Sequence, residues 1–161
     1  MGKVKNFAAL NIRKLTGGKD PVRLVEEFIM RQGFDPAESA KEKNADNARW
    51  LVALGKGEDL EILVEGVKQA SETTIYMGVN VCVVPLRNST DVLVAALEIA
   101  DGLVGIKVSL VGHFLVLSAT LGAAGTTIED LEYHFKLIEA QESWFRDALA
   151  DELGWQSLTS E

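Results

Sequence analysis

Apolar positions along this chain follow two rhythms, and the switch from one to the other marks its elements. Over residues 3–15, Val4, Phe7, Ala8, Leu10, Ile12 and Leu15 stand among basic residues, a pattern that predicts a short helix with a ragged apolar face. Thr16-Gly17-Gly18 ends it, because glycine tolerates the left-handed backbone of a helix stop. Asp20-Pro21 opens a second helix. The aspartate can accept from the free first-turn amides, and proline loses nothing at the first helical position. Val22, Val25, Phe28 and Ile29 continue at helical spacing to Gln32, where Gly33 stops the run. Residues 34–47 carry Lys, Glu, Asn and Asp without apolar rhythm and predict a solvated connection, with room for one helical turn after Asp35-Pro36.

The period then shortens to two. Arg49 to Leu54 predicts a strand closed by Gly55-Lys56-Gly57. In Leu60 to Val67, Leu60, Ile62 and Val64 alternate with Glu61, Leu63 and Glu65; Leu60, Leu63, Val64 and Val67 also fit a helix, but Gly66 and the β-branched neighbours favour a strand. Thr73 to Val84 sets Ile75, Met77, Val79, Val81 and Val83 on one face, and Pro85 closes it. Asn88-Ser89-Thr90-Asp91 starts a helix to Ala100, with Ser89 as the expected cap and a stripe of Leu93, Leu97 and Ala100 widened by Val94 and Ile99. Ile106 to Val111 and Phe114 to Leu121 predict a hairpin turning at Gly112-His113. Thr126 with Glu129 forms the pattern of a capping box for a long helix to Leu153, striped by Ile128, Leu131, Phe135, Ile138, Phe145 and Leu149 and interrupted by Glu142.

After the basic arm the order is α-β-β-β-α-β-β-α. It predicts an α+β fold: an antiparallel β-sheet of about five strands packed by helices on one side. The division is a basic N-terminal arm, 1–19, a single α+β domain, 20–154, and a C-terminal tail, 155–161.

Charge changes this picture at one place. The net charge of −8 argues against a general phosphate-binding surface. Yet residues 1–23 hold Lys3, Lys5, Arg13, Lys14, Lys19 and Arg23 against Asp20 alone, a net +5 that leaves −13 for the remainder. A basic arm on an acidic body can pair with its own body or a sister subunit, touch a polyanion through Lys3, Lys5, Arg13, Lys14 and Lys19, or stand as an idle solvated tail. No apolar run approaches the ~18 residues of a membrane span. No signal-peptide pattern follows Met1, and Asn6 stands where a myristoylation motif wants Ser or Thr. With a single cysteine, these features lead us to expect a cytoplasmic protein.

The stretch Thr73–Leu149 resembles the YbjN-like proteins and the wider fold shared with type III secretion chaperones. The resemblance is carried by the strand Thr74-Ile75-Tyr76-Met77-Gly78-Val79-Asn80-Val81, by Pro85, by the helix with Leu93 and Leu97, by the hairpin 106–121, and by the closing Trp144-Phe145-Arg146-Asp147-Ala148-Leu149. It implies a small acidic homodimer that binds protein segments and has no enzyme activity. The basic arm and the long connection at 34–47 depart from the family pattern.

Candidate chemistry is sparse. His113 and His134 lack the further ligands of a zinc site. Cys82 lies mid-strand among valines, a packing position, and Gly17-Gly18-Lys19 follows a predicted helix and precedes Asp20, unlike a phosphate loop. The acidic pairs Glu26/Glu27, Glu129/Asp130 and Asp151/Glu152 are neighbours in sequence and diverge around their helices, so none forms a catalytic dyad. No cofactor is expected. What stands out is an apolar surplus: more apolar surface than one sheet-and-helix layer hides. Ile75, Met77, Val79, Leu93, Leu97 and Trp144 are the candidate partner or dimer surface; Trp50, Trp144 and Trp155 are candidate anchors, with core or boundary packing as the other reading of each. The reading is a non-catalytic chaperone-like or adaptor protein that binds a protein partner, as a homodimer. The alternative is a nucleic-acid-associated accessory protein using the basic arm.

Overall fold

The computed structural model describes residues 20–44, 47–55, 58–67 and 72–154. Helix α1, Pro21–Arg31, starts where the Asp20 side chain accepts from the Val22 amide at 3.1 Å, and it buries Pro21, Leu24, Val25, Phe28 and Ile29. It ends at Gly33, whose φ of +89° lets the Phe34 amide turn back to the Ile29 carbonyl. Asp35 caps the single turn α2, Pro36–Ser39, by accepting from the Ala37 amide at 2.8 Å.

The connection expected at 34–47 contains a strand, β1, Ala40–Lys43, paired antiparallel with β2, Asn47–Leu54, through a bulge between Ala40 and Glu42. Ala-Lys-Glu-Lys has no apolar alternation to announce a strand. Backbone pairing makes it, and the Lys43 ammonium pins it to α1 through Glu26 at 2.7 Å. β3, Glu58–Val67, and β4, Glu72–Val83, follow through links too short for anything but antiparallel neighbours. Helix α3, Ser89–Ala100, leads to the hairpin β5, Lys107–Val111, and β6, Phe114–Gly122. β6 returns beside β4: the Val84 amide donates to the His113 carbonyl at 2.7 Å and the Ala123 amide to the Thr73 carbonyl at 2.8 Å, so the two strands run in opposite directions.

The result is an α+β fold with an antiparallel sheet of six strands, one more than expected, in the order β1-β2-β3-β4-β6-β5. The last helix, α4, is Ile128–Leu153. Its capping box sits one residue later than expected: Thr127 Oγ1 accepts from the Asp130 amide, and Asp130 Oδ2 accepts from the Thr127 amide at 2.8 Å. At α3 the N-cap is Asn88 rather than Ser89, and it makes no side-chain capping bond.

By their contacts the residues divide into two compact units. One comprises the described residues up to Leu51, with Ile62–Tyr76 and Thr120–Glu132; the other comprises Val52–Glu61, Met77–Ala119 and the chain from Tyr133 onwards. The core of the first is Val25, Phe28, Ile29, Trp50, Ile62, Ile75 and Leu131, all at most 1% exposed. Arg31 spans from α1 to the start of α4, 3.7 Å from both Glu129 and Glu132. The core of the second is built on Leu60, Met77, Val79, Val92, Leu115, Leu117, Ile138, Phe145 and Leu149. Here β6 breaks its alternation: Leu115 to Ala119 are all buried, so both faces of the strand are covered.

Candidate functional site: an apolar face on the second unit

The expected stripe of α3 is turned around. The helix buries Val92, Ala95 and Ala96, while Leu97 is 69% and Val94 49% exposed and Leu93 is half-buried. Small side chains on the inner face let the helix axis approach its support closely. The bulky ones are left outside, where burying each would contribute about 1.5–3 kcal/mol.

The segment after α3 is held in a defined place. Both ends of the Gln141 side-chain amide bond the backbone of Val104: Nε2 donates to the carbonyl at 3.0 Å, and Oε1 accepts from the amide at 3.2 Å. Gly102 faces the rim of the Trp144 ring, leaving only 3.0 Å for a Cβ, and Gly105, at φ +73°, approaches the Leu137 side chain as closely. The loop is thereby latched to α4 and presents Val104 to solvent beside the end of α3.

The outer strand β5 adds a second patch. Leu110 and Val111 are half-exposed, as is Phe114 across the hairpin, and Val111 pairs directly with Phe114. The bond from Val84 to His113 brings the end of β4 to the same turn, where Val83 and Leu86 are exposed. The two sheet edges therefore differ in kind. β1 carries Lys41, Glu42 and Lys43, which blunt an edge against strand pairing, while β5 ends in exposed Leu110 and Val111, which invite it.

Of the large apolar side chains exposed among the described residues, only Met30 belongs to the first unit; Val83, Leu86, Val94, Leu97, Val104, Leu110, Val111, Phe114, Tyr133 and Trp144 belong to the second. The candidate surface residues separate accordingly. Leu97 and Trp144 lie exposed on this unit, with Leu93 half-buried. Ile75, Met77 and Val79 are 0%, 0% and 1% exposed. They pack the core from the inner face of β4 and offer nothing to a partner. Trp50 is wholly buried as well, and Trp155, Lys3, Lys5, Arg13, Lys14 and Lys19 lie outside the described residues. Sequence reasoning missed Leu86, Val104, Leu110, Val111 and Phe114, although the apolar residues flanking the Gly112-His113 turn were visible as a signal.

Arg146, 15% exposed, lies between Glu58 at 3.0 Å and Glu142, with its Nε donating to Glu142 at 2.7 Å. Burial pushes the Cys82 thiol above its ordinary pKa, against a smaller opposing pull from Arg146, so it is a poor nucleophile. No three metal-binding side chains cluster among the described residues, and no described helix is long and apolar enough to cross a membrane.

No family model matches this chain, so the YbjN-like resemblance gains no family match, and no curated protein matches it. Solved structures do. A chain of the heterodimeric ExoU–SpcU complex from the type III secretion system of Pseudomonas aeruginosa matches with a TM-score of 0.53 at 14% identity, over 79% of this chain and 98% of that one. A chain of the complex of the Yersinia pestis type III secretion chaperone SycH with a stable fragment of YscM2 gives 0.48 at 14% identity over 78% and 99%. The HopA1–SchA chaperone–effector complex gives 0.48 at 8% identity over 88% and 98%. At such identities the likeness is one of fold: this chain has the α+β architecture found in the ExoU–SpcU complex, and almost the whole of the matched chain is represented in it.

Proposed function

We infer that this protein is a non-catalytic, chaperone-like or adaptor protein that binds another protein and does so as a homodimer. The observation that carries the reading is the confinement of all exposed bulky apolar side chains but Met30, among the described residues, to one unit, with most of them on α3, the latched loop and the β5–β6 hairpin. Scattered apolar residues need no explanation, but a set concentrated on neighbouring elements is costly to leave in water. That a chain of this fold occurs in a heterodimeric complex supports a protein partner.

The homodimer uses Leu97 of α3 with Leu110 and Val111 of the open edge strand. A two-fold axis lets such a patch cover its own copy. Exposed Val83, Leu86 and Phe114, around the hairpin turn, then remain for the client segment, and the acidic body favours basic clients.

Sedimentation velocity of the full chain at micromolar concentration tests this. A dimer is expected, reduced to a monomer by Leu97→Asp or Val111→Lys with unchanged circular dichroism. A wild-type monomer at all concentrations overturns the homodimer. For the client, material retained from native lysate by the wild type should be lost with Leu86→Asp and Phe114→Asp. Equal retention by these variants removes the client surface.

A further inference from the structure

The flank of α3 between its buried and its exposed faces carries a second feature, distinct from the Leu97 patch. Asp91, Val94, Ala95 and Glu98 recur at i, i+3, i+4 and i+7 and so share one stripe, and Glu152 and Leu153 at the end of α4 face it. Together they line a shallow, open cleft of about 260 Å³. Its apolar lining is Val94, half-exposed, Ala95, buried, and Leu153. The carboxylates of Asp91, Glu98 and Glu152 stand exposed around it, and among the described residues no cation pairs with them.

A cleft lined by apolar side chains and unpaired carboxylates fits an apolar segment that carries lysine or arginine. The same chain contains one. Residues 1–19 hold Lys3, Lys5, Arg13, Lys14 and Lys19 with no acid, interleaved with Val4, Phe7, Leu10, Ile12 and Leu15. Two copies of a chain at −8 repel each other on approach, and the repulsion is relieved where the positive segment of one meets the negative cleft of the other. The cleft lies on the helix that also carries Leu97, so in the two-copy assembly, on which this inference rests, a second copy is close at hand. We propose that the cleft of Asp91, Val94, Glu98 and Glu152 receives the basic segment 1–19 of a second copy, so that assembly is secured by exchanged segments as well as by apolar burial.

The test uses the full chain as an equal mixture of nitrogen-15-labelled and unlabelled protein, equilibrated to allow subunit exchange and treated with a water-soluble carbodiimide. This reagent joins a lysine amine directly to a carboxylate it touches. Mass spectrometry should find Lys3, Lys5, Lys14 or Lys19 joined to Asp91, Glu98 or Glu152, with mixed-isotope pairs among the products. These products should vanish near 1 M salt, where screening acts within about 3 Å. The double variant Glu98→Lys/Glu152→Lys, at exposed positions, should lose the Asp91 products and weaken the dimer about tenfold. Products of one isotope only, products spread evenly over the carboxylates, or none at these three each overturn the proposal. Sedimentation of the same mixture separates the two failures. A dimer without the products removes the exchanged segment alone, and a monomer removes both it and the two-copy reading.

Discussion

Gln141 of α4 and Val104 of the loop after α3 are joined as two strands would be, the side-chain amide of one donating to and accepting from the backbone of the other at 3.0 and 3.2 Å. This pairing fixes where the apolar surface of the loop stands, because Val104, 67% exposed, has no packing of its own to hold it. Gln141→Ala removes both bonds. It is expected to cost about 1–2 kcal/mol in urea unfolding and to speed hydrogen exchange of the Val104 amide. An unchanged amide exchange rate would show that the loop is held by other means.

Trp144 and Phe145 are neighbours on α4 with opposite environments, 47% and 0% exposed, because successive helical residues point about 100° apart. Phe145→Ala opens a cavity in the second unit and is expected to cost about 3–5 kcal/mol. Trp144→Ala should cost under about 1.5 kcal/mol while weakening association. Urea midpoints of the two variants measured side by side check the contrast, and equal losses would contradict it.

Arg146 separates two carboxylates, Glu58 at the start of β3 and Glu142 one helical turn back. Arg146→Met leaves both acids partly buried without their cation. The expected loss is about 2–4 kcal/mol, partly recovered by adding Glu142→Gln. A loss below about 0.5 kcal/mol, the size of an exposed pair, would mean that this bridge is no more than a surface contact.

The raised pKa of Cys82 has a defined sign. Burial keeps the thiol neutral in the folded chain, while the unfolded chain ionises near 9.0. Its contribution to stability is therefore full below that pH and declines as pH rises towards the higher folded value. Alkylation by iodoacetamide at pH 8 should be slow in the folded chain and rise sharply in urea, and Cys82→Ala should flatten the alkaline side of the stability curve. Rapid labelling of the folded chain would show that the thiol is not protected.

What a residue's own neighbours decide was legible. The caps at Asp20 and Asp35, the alternation of β4 and the stripe of Ile128, Leu131, Phe135, Ile138, Phe145 and Leu149 each depend on atoms a few residues apart. These settled the element order apart from β1 and, through it, the α+β class. Three things needed the tertiary structure. β1 is a strand because β2 lies beside it, and Ala-Lys-Glu-Lys carries no trace of that pairing. α3 is apolar around most of its circumference, so periodicity could not choose its inner face; close packing chose Val92, Ala95 and Ala96 and left Leu97 in water. Ile75, Met77 and Val79 could equally have served a core or an interface, since both bury apolar surface, and only the arrangement of distant segments over β4 assigned them to the core. Hydrophobic spacing determines which residues must be covered, and long-range packing decides which of them this chain covers for itself.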